Sequence, residues 1–436
     1  MRGRRLAILV ATAFLLALSG CENALQTFVF DRLFGPPYRH QETRLVPPAP
    51  NPNTGNLGQA VDTSGDFIIA GAPAEDGGAG AVYIFNRTGT GGWDAGTRIT
   101  ASDATAGDGF GSAVAISGDW AVVGAPGKDV GATSDGAIYI FHRTGGTSWD
   151  AGTGKTLGDI GAGPVDYDRF GFSVSIDGAW IAAGARQDDL NMTNDNYGAV
   201  YMFQNVSGTW TYDTRLDPGA VAEKKSANFG FAVDLGADQL IVGAHYEDVD
   251  GSGTAPLKQG AAYIYRFNID SWELSDRLTA PDSEDNAIFG ASVGISGDYA
   301  IVGSPWKTEG GQTMAGAAYI FQKTSATDWH TITAQKLTLA VPAVGDWYGM
   351  STAIRGDFAM VGALYRDDAA AGAGAAYLYT RPQGNTWDLL ATLTASDASS
   401  GNTFFGASAA FSDTRAVLGA TDPAVSGGAG AVYVFK

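Results

Sequence analysis

The chain has 436 residues, 61 of them glycine, which is about twice the usual share of ~7%. A hydrophobic content of 45% and an aromatic content of 11% supply a core and exclude a disordered acidic chain, although 46 acidic against 27 basic residues leave a formal charge of −19. One cysteine excludes a disulfide framework and a cysteine-built zinc site, the charge argues against nucleic acid, and four histidines leave little material for His-based catalysis.

The N-terminus reads as an address. Arg2, Arg4 and Arg5 precede Leu6–Leu18, an unbroken run of apolar and small residues. Its thirteen residues fall short of the about 20 that a membrane-spanning helix needs. A positive segment, a short apolar run and then small residues are the layout of a secretory signal. The following Leu18-Ser19-Gly20-Cys21 resembles the lipobox of bacterial lipoproteins, in which the cysteine is acylated and becomes the new N-terminus. That resemblance implies a signal peptide over residues 1–20 and a lipid (palmitate) on Cys21. It also implies anchoring in a bacterial cell envelope, and Glu22 in place of Asp points to the outer membrane. Residues 21–42 then form a tether, without periodicity and with Pro36-Pro37.

From Leu57 onward one unit recurs. A phrase of the form F-G-x-S-V-x-I-S-G-D-x-x-x-V-G-A-P places its first glycine at Gly58, Gly111, Gly171, Gly230, Gly290, Gly349 and Gly406. Each copy continues to a Gly-Ala-x-Tyr-x-aromatic phrase, and six go on to a tryptophan (Trp93, Trp149, Trp210, Trp272, Trp329, Trp387) and a short polar-apolar run. In the second copy these segments predict strands over 112–116, 120–123 and 137–141, followed by a fourth after the tryptophan. No helical period is present. Repeated four-stranded units predict a β-propeller, because one such sheet cannot bury both faces alone.

Closure can be read independently. The seventh copy stops at Phe435-Lys436 without its fourth strand, while an orphan strand, Glu42–Val46, precedes the first. An N-terminal strand completing the C-terminal blade removes both open edges. The expected fold is all-β: a seven-bladed propeller over residues 43–436, closed by that strand.

The phrases Phe110-Gly111 and Gly124-Ala125-Pro126, repeated in phase, resemble the FG-GAP repeat of integrin α subunits and many bacterial surface proteins. The Ala-Pro step drifts at Ala185-Arg186, Ala244-His245, Ala363-Leu364 and Ala420-Thr421. The resemblance implies a partner-binding face. The calcium loops of integrin-like propellers are not carried over, because the link between first and second strands here is a stub such as Ser117-Gly118-Asp119. The stub Asp is expected to support the turn through its own backbone bonds.

The links between second and third strands are long and acidic, and share one face with the links entering each next blade. Their candidate ligand-binding carboxylates are Asp76, Asp129, Asp168, Glu247, Asp285, Asp346, Asp367 and Asp368. Within them Asp248, Asp250 and Ser252, ahead of Gly253, resemble part of a calcium loop, and Asp188 with Asp189 forms a looser candidate. Solvated polar loops are the alternative. Catalytic signatures are absent: there is no G-x-S-x-G elbow, no phosphate loop with Lys, and His245 has no partner motif. The repeating tryptophans read as blade-packing residues, and the inner strands as mostly small and apolar. The expectation is a non-catalytic, membrane-anchored envelope or cell-surface protein that binds a protein or glycan on its acidic face, in adhesion or as a scaffold. The alternative is an envelope hydrolase or lyase with its site in the propeller channel.

Overall fold

The computed structural model describes residues 42–47, 55–89, 91–161, 167–189, 196–218, 226–249, 257–324, 329, 334–382, 386–398, 403–412, 414–421 and 430–436. Cys21, Asp250 and Ser252 lie outside the described residues. Chain contacts separate Thr43–Val434 from a second unit, Met1–Glu42 with Phe435–Lys436, of which only Glu42, Phe435 and Lys436 are described.

Seven antiparallel sheets follow one another around a ring, each built on a path of four strands, in sequential order in blades one to six and with the N-terminal strand outermost in the seventh. Blade one consists of Val61–Ser64, Phe67–Ala72, Ala81–Asn86 and Thr97–Ile99. Blade two has the predicted strands at Ala113–Ser117, Trp120–Ala125 and Ala137–Gly145, then Thr153–Thr156 as its fourth, and an extra two-residue strand at Ser148–Trp149. Blade seven closes as the orphan strand predicts: Thr43, Arg44 and Leu45 pair with Val434, Tyr433 and Val432. The second and third strands are buried almost throughout, whereas the fourth faces solvent along much of its length, as in Thr209–Leu216, where only Trp210 and Leu216 are buried. Among the described residues, helix is limited to a turn at Glu75–Gly78, with Asp76 and Gly77 left-handed, and a 3-10 turn at Gly158–Ile160. No helix among the described residues is long and apolar enough to cross a membrane.

The repeated glycines build the seams between blades. At Gly71 an added Cβ would fall inside the van der Waals shell of the Gly111 carbonyl oxygen, so the second strand of blade one can approach blade two only without a side chain. Gly111 itself has a positive φ of 94°, which the turn into the inner strand requires. The same contact recurs from Gly124 to Gly171 and onward, ending with Gly419 against Gly58, which joins blade seven to blade one. The F-G and G-A steps are thus two halves of one backbone contact, formed across neighbouring blades.

On the face opposite the acidic links, the stubs are two-residue turns, and their Asp side chains are bound differently from expectation. Asp66, Asp119, Asp238 and Asp357 pair with Arg87, Arg143, Arg266 and Arg381, which leave the third strand of the same blade. A carboxylate beside a guanidinium gains a charge-assisted bond that an Asx turn cannot supply. The tryptophans pack between blades, as their repetition implies. Trp149 meets Phe67 of the preceding blade edge-on at 6.2 Å, Trp210 meets Trp120 at 5.6 Å and Trp272 meets Trp180 at 5.3 Å.

Candidate functional site

Two surfaces could carry function, the channel along the ring axis and the face made by the long links. The channel encloses about 870 Å³ and is walled by the seven inner strands. The wall position runs Asp62, Ala115, Ser175, Asp234, Gly294, Ala353 and Ala410 in order of blade. The expectation of small apolar residues therefore holds at most blades but misses two carboxylates. Each is held by the neighbouring blade: Asp62 Oδ2 accepts from the Ile116 amide at 2.7 Å, and Asp234 Oδ2 from the Ile295 amide at 2.8 Å. Asp62 Oδ1 also accepts from the Thr63 amide at 2.8 Å. Burial outweighs these bonds. It pushes the Asp62 carboxyl up to about 6, and it pushes Asp234 up to about 7 with help from the negative charges of Asp62 and Asp177.

On the link face, the acidic residues are built into the blades. In every blade the tyrosine of the Gly-Ala-x-Tyr phrase donates its hydroxyl to a carboxylate that also meets a cation. Tyr263 donates to Glu247 at 2.6 Å, and Arg277 reaches Glu247 at 2.6 Å. Tyr83, Glu75 and Arg98 repeat this in blade one, and Tyr201, Asp188 and Arg215 in blade three. There the acid is the fourth residue after the glycine of the Gly-Ala step. In blades two, five and six that position holds Lys128, Lys307 or Arg366, and the polarity is exchanged. Tyr139 then donates to Asp103 and Tyr319 to Asp282, both on the incoming link, while Tyr377 donates to Asp368. Tyr433, Asp397 and Arg44 complete the set on the closing strand. Burial raises the Asp103 and Asp282 carboxyls, but the bonds from tyrosine and lysine outweigh it and hold both below the usual range.

The remaining candidate residues are similarly engaged. Asp76 pairs with Arg98 and Asp346 with Arg366, and Asp129, Asp189 and Asp367 accept from the amides of Ser134, Asn196 and Gly372. Asp285 accepts from Gln259 at 3.1 Å, and Asp168 and Asp248 are buried. The structure brings Asp188 together with Tyr201 and Arg215, and Asp189 with Asn196. Among the described residues no group of three or more His, Cys, Asp or Glu side chains is arranged to hold a metal ion.

Sequence reasoning missed an aromatic run on this face. Trp306 lies 6.1 Å from Trp347, Trp347 4.8 Å from Tyr365, and Tyr365 5.1 Å from Phe404, crossing blades five, six and seven. All four rings are half-buried, and Val341 and Val344 on the same link as Trp347 are 71% and 66% exposed. The available signal was position: Trp306 and Trp347 fall outside the repeating tryptophan slot.

A comparison with curated proteins gives no match. The FG-GAP repeat family matches residues 93–141, 163–203, 221–265, 272–321, 332–379 and 387–435, more than half the chain. Each matched segment runs from the end of one blade to the third strand of the next, and the first copy, with Leu57-Gly58 in place of Phe-Gly, lies before the matched residues and forms blade one. The chain belongs to the FG-GAP repeat family.

Proposed function

We propose that this propeller is a protein-binding scaffold of the bacterial envelope, lipid-anchored through Cys21 in the outer membrane and contacting its partner through the link face without catalysis. The fold and family suggest the scaffold role. The observation that carries the choice of face is the run Trp306–Trp347–Tyr365–Phe404, because half-exposed aromatic rings next to exposed valines are the usual core of a protein interface. The rim's carboxylates, most of them held by an internal donor, supply negative charge around that run and orient a basic partner. Adhesion follows if the partner lies on another cell.

The test uses the full-length chain in a bacterial host. A photo-crosslinking residue at Trp347 is expected to trap a defined partner, one at Trp120 on the opposite face is not, and Trp306→Ala is expected to abolish the product while the fold is retained. Cys21→Ser is expected to end palmitate labelling and release the chain from the membrane fraction. Equal trapping from both faces, or unchanged membrane retention, would refute the corresponding half of the proposal. The channel carboxylates Asp62 and Asp234 favour a second reading, an envelope hydrolase. Turnover of a glycoside or ester that is lost in the double Asn variant would establish it.

A further inference from the structure

Blades three and four break the repeat at the same two positions. Directly after the first glycine, other blades carry Gln59, Ser112, Ala291, Met350 or Ala407, but these two carry Phe172 and Phe231. Directly after the Gly-Ala or Gly-Ser step, where other blades carry Pro73, Pro126, Pro305, Leu364 or Thr421, they carry Arg186 and His245. What all blades share builds the ring, so a paired departure in adjacent blades marks a local use.

The four residues converge. The Arg186 guanidinium lies 4.3 Å from the Phe172 ring centroid and 5.9 Å from that of Phe231, and the two rings are 5.1 Å apart. The His245 ring sits 3.8 Å from Phe231 and 4.0 Å from Tyr246, and the Lys258 ammonium lies over the Tyr246 ring at 4.4 Å. Arg186 makes one hydrogen bond among the described residues, from Nη1 to Asn228 Oδ1 at 3.2 Å, and Asn228 is fixed in turn by donating Nδ2 to the Ser226 carbonyl at 2.9 Å. The Nε of Arg186 and the Nδ1 of His245 are both buried with no partner among the described residues, and His245 is only 4% exposed.

The charge here is the reverse of the rim's. Among the described residues, the ion pairs of blades three and four use Arg215, Arg266 and Arg277, whereas Arg186, Arg169 and Lys258 have none. Arg169 instead donates Nε to Gln187 at 2.8 Å, and its charge bears on Arg186. Burial first, and then Arg169, push the Arg186 guanidinium down to about 10. Burial, with Arg186 and Lys258, pushes His245 down to about 3, so it is neutral at physiological pH. Among the described residues, a chain with a surplus of carboxylates has thus left the half-buried Arg186 guanidinium without one, over the Phe172 ring and beside that of Phe231.

We propose that Arg186, walled by Phe172 and Phe231 and flanked by His245, binds a carboxylate carried by the protein partner, as an acidic side chain or a chain end. With Nη1 committed to Asn228, the edge of the guanidinium left unpartnered among the described residues is Nε with Nη2, whose two parallel N–H bonds match a carboxylate side-on. The rings exclude water and strengthen that pair. The surrounding negative rim repels a doubly charged phosphate or a polysulfate more than a single carboxylate. This site rests on the link face being the partner-binding face, and adds what the partner must present there.

The experiment titrates the α-amide of N-acetyl-aspartate, which carries a single carboxylate, into the full-length chain in detergent, with arginine labelled by nitrogen-15 and with sodium chloride at equal ionic strength as the blank. The Arg186 Nε–H signal, assigned by its loss in Arg186→Gln, is expected to shift saturably, and binding measured by calorimetry to weaken roughly tenfold in that variant. Arg266→Gln, on the opposite face, is expected to bind as the parent does. A shift that does not saturate, one matched by chloride or sulfate, or equal affinity in Arg186→Gln overturns the proposal; the wild-type signal decides even if the variant misfolds. Glucuronate binding more tightly than the equally charged N-acetyl-aspartate α-amide overturns the peptide assignment in favour of an acidic glycan. The titration needs no partner. Saturation without any partner trapped at Trp347 would keep this site and refute the proposed function, whereas a trapped partner without saturation would do the reverse.

Discussion

The two channel carboxylates make a quantitative prediction about stability and pH. Asp62 and Asp234 each sit where burial favours the protonated form, at about 6 and about 7. A carboxyl whose folded pKa lies above its unfolded one binds a proton more tightly in the native state. The native chain is therefore penalised as pH rises from about 4 to about 7, and the penalty is constant above that. At about 1.4 kcal/mol per pH unit, the rise for Asp234 caps its penalty at roughly 4 kcal/mol, and channel water reduces the expected value to about 1–2 kcal/mol. Asp234→Asn removes the charge while its amide oxygen still accepts the Ile295 amide, so the variant should match the parent near pH 4 and exceed its stability at pH 8. Urea unfolding at the two pH values measures the difference. The double variant with Asp62→Asn should gain less than the two single gains added, because each single change also relieves the repulsion between the pair. Destabilisation at pH 8, or an effect equal at both pH values, would refute the reasoning.

Other outcomes follow from the seams and struts. Glu247→Gln leaves the solvent-facing Arg277 and the Tyr263 hydroxyl against a neutral amide at a buried position, and should cost about 1–2 kcal/mol in urea unfolding. Gly71→Ala forces a side chain against the Gly111 carbonyl and should lower stability by at least about 3 kcal/mol, whereas Gly65→Ala, where an added Cβ meets nothing within 4 Å, should cost only the left-handed strain of about 1 kcal/mol. Deleting the chain through Val46 uncovers the strand Ala431–Phe435 and should produce concentration-dependent association in sedimentation velocity, with a lowered melting midpoint.

The number of blades, the strand order and the closing strand were legible because each is written more than once: seven phrases, or one missing strand at one end and one extra at the other. The internal use of the acidic rim was not legible, because the partner changes sign between blades. Glu75 and Lys128 occupy one repeat position, and only the fold brings Asp103 to the place that Glu75 fills in its own blade. The stub aspartates looked like local turn formers because their arginines lie more than twenty residues away in sequence. Asp62 and Asp234 were hidden for another reason. Their position is occupied by Ala, Ser or Gly in the other blades, so the repeat reads as small at the site where two charges line the channel.

The closing strand also determines how the fold takes a pull. Among the described residues, tension entering at Thr43 falls on three residue pairs, from Thr43↔Val434 to Leu45↔Val432, and on the bridge from Arg44 to Asp397 at 3.1 Å. Elsewhere an outer strand is followed by another blade, which shares the strain. Here the first element to yield is the clasp itself, so a tethered propeller under shear would open at one blade and re-form it when the tension falls, leaving the other six sheets paired.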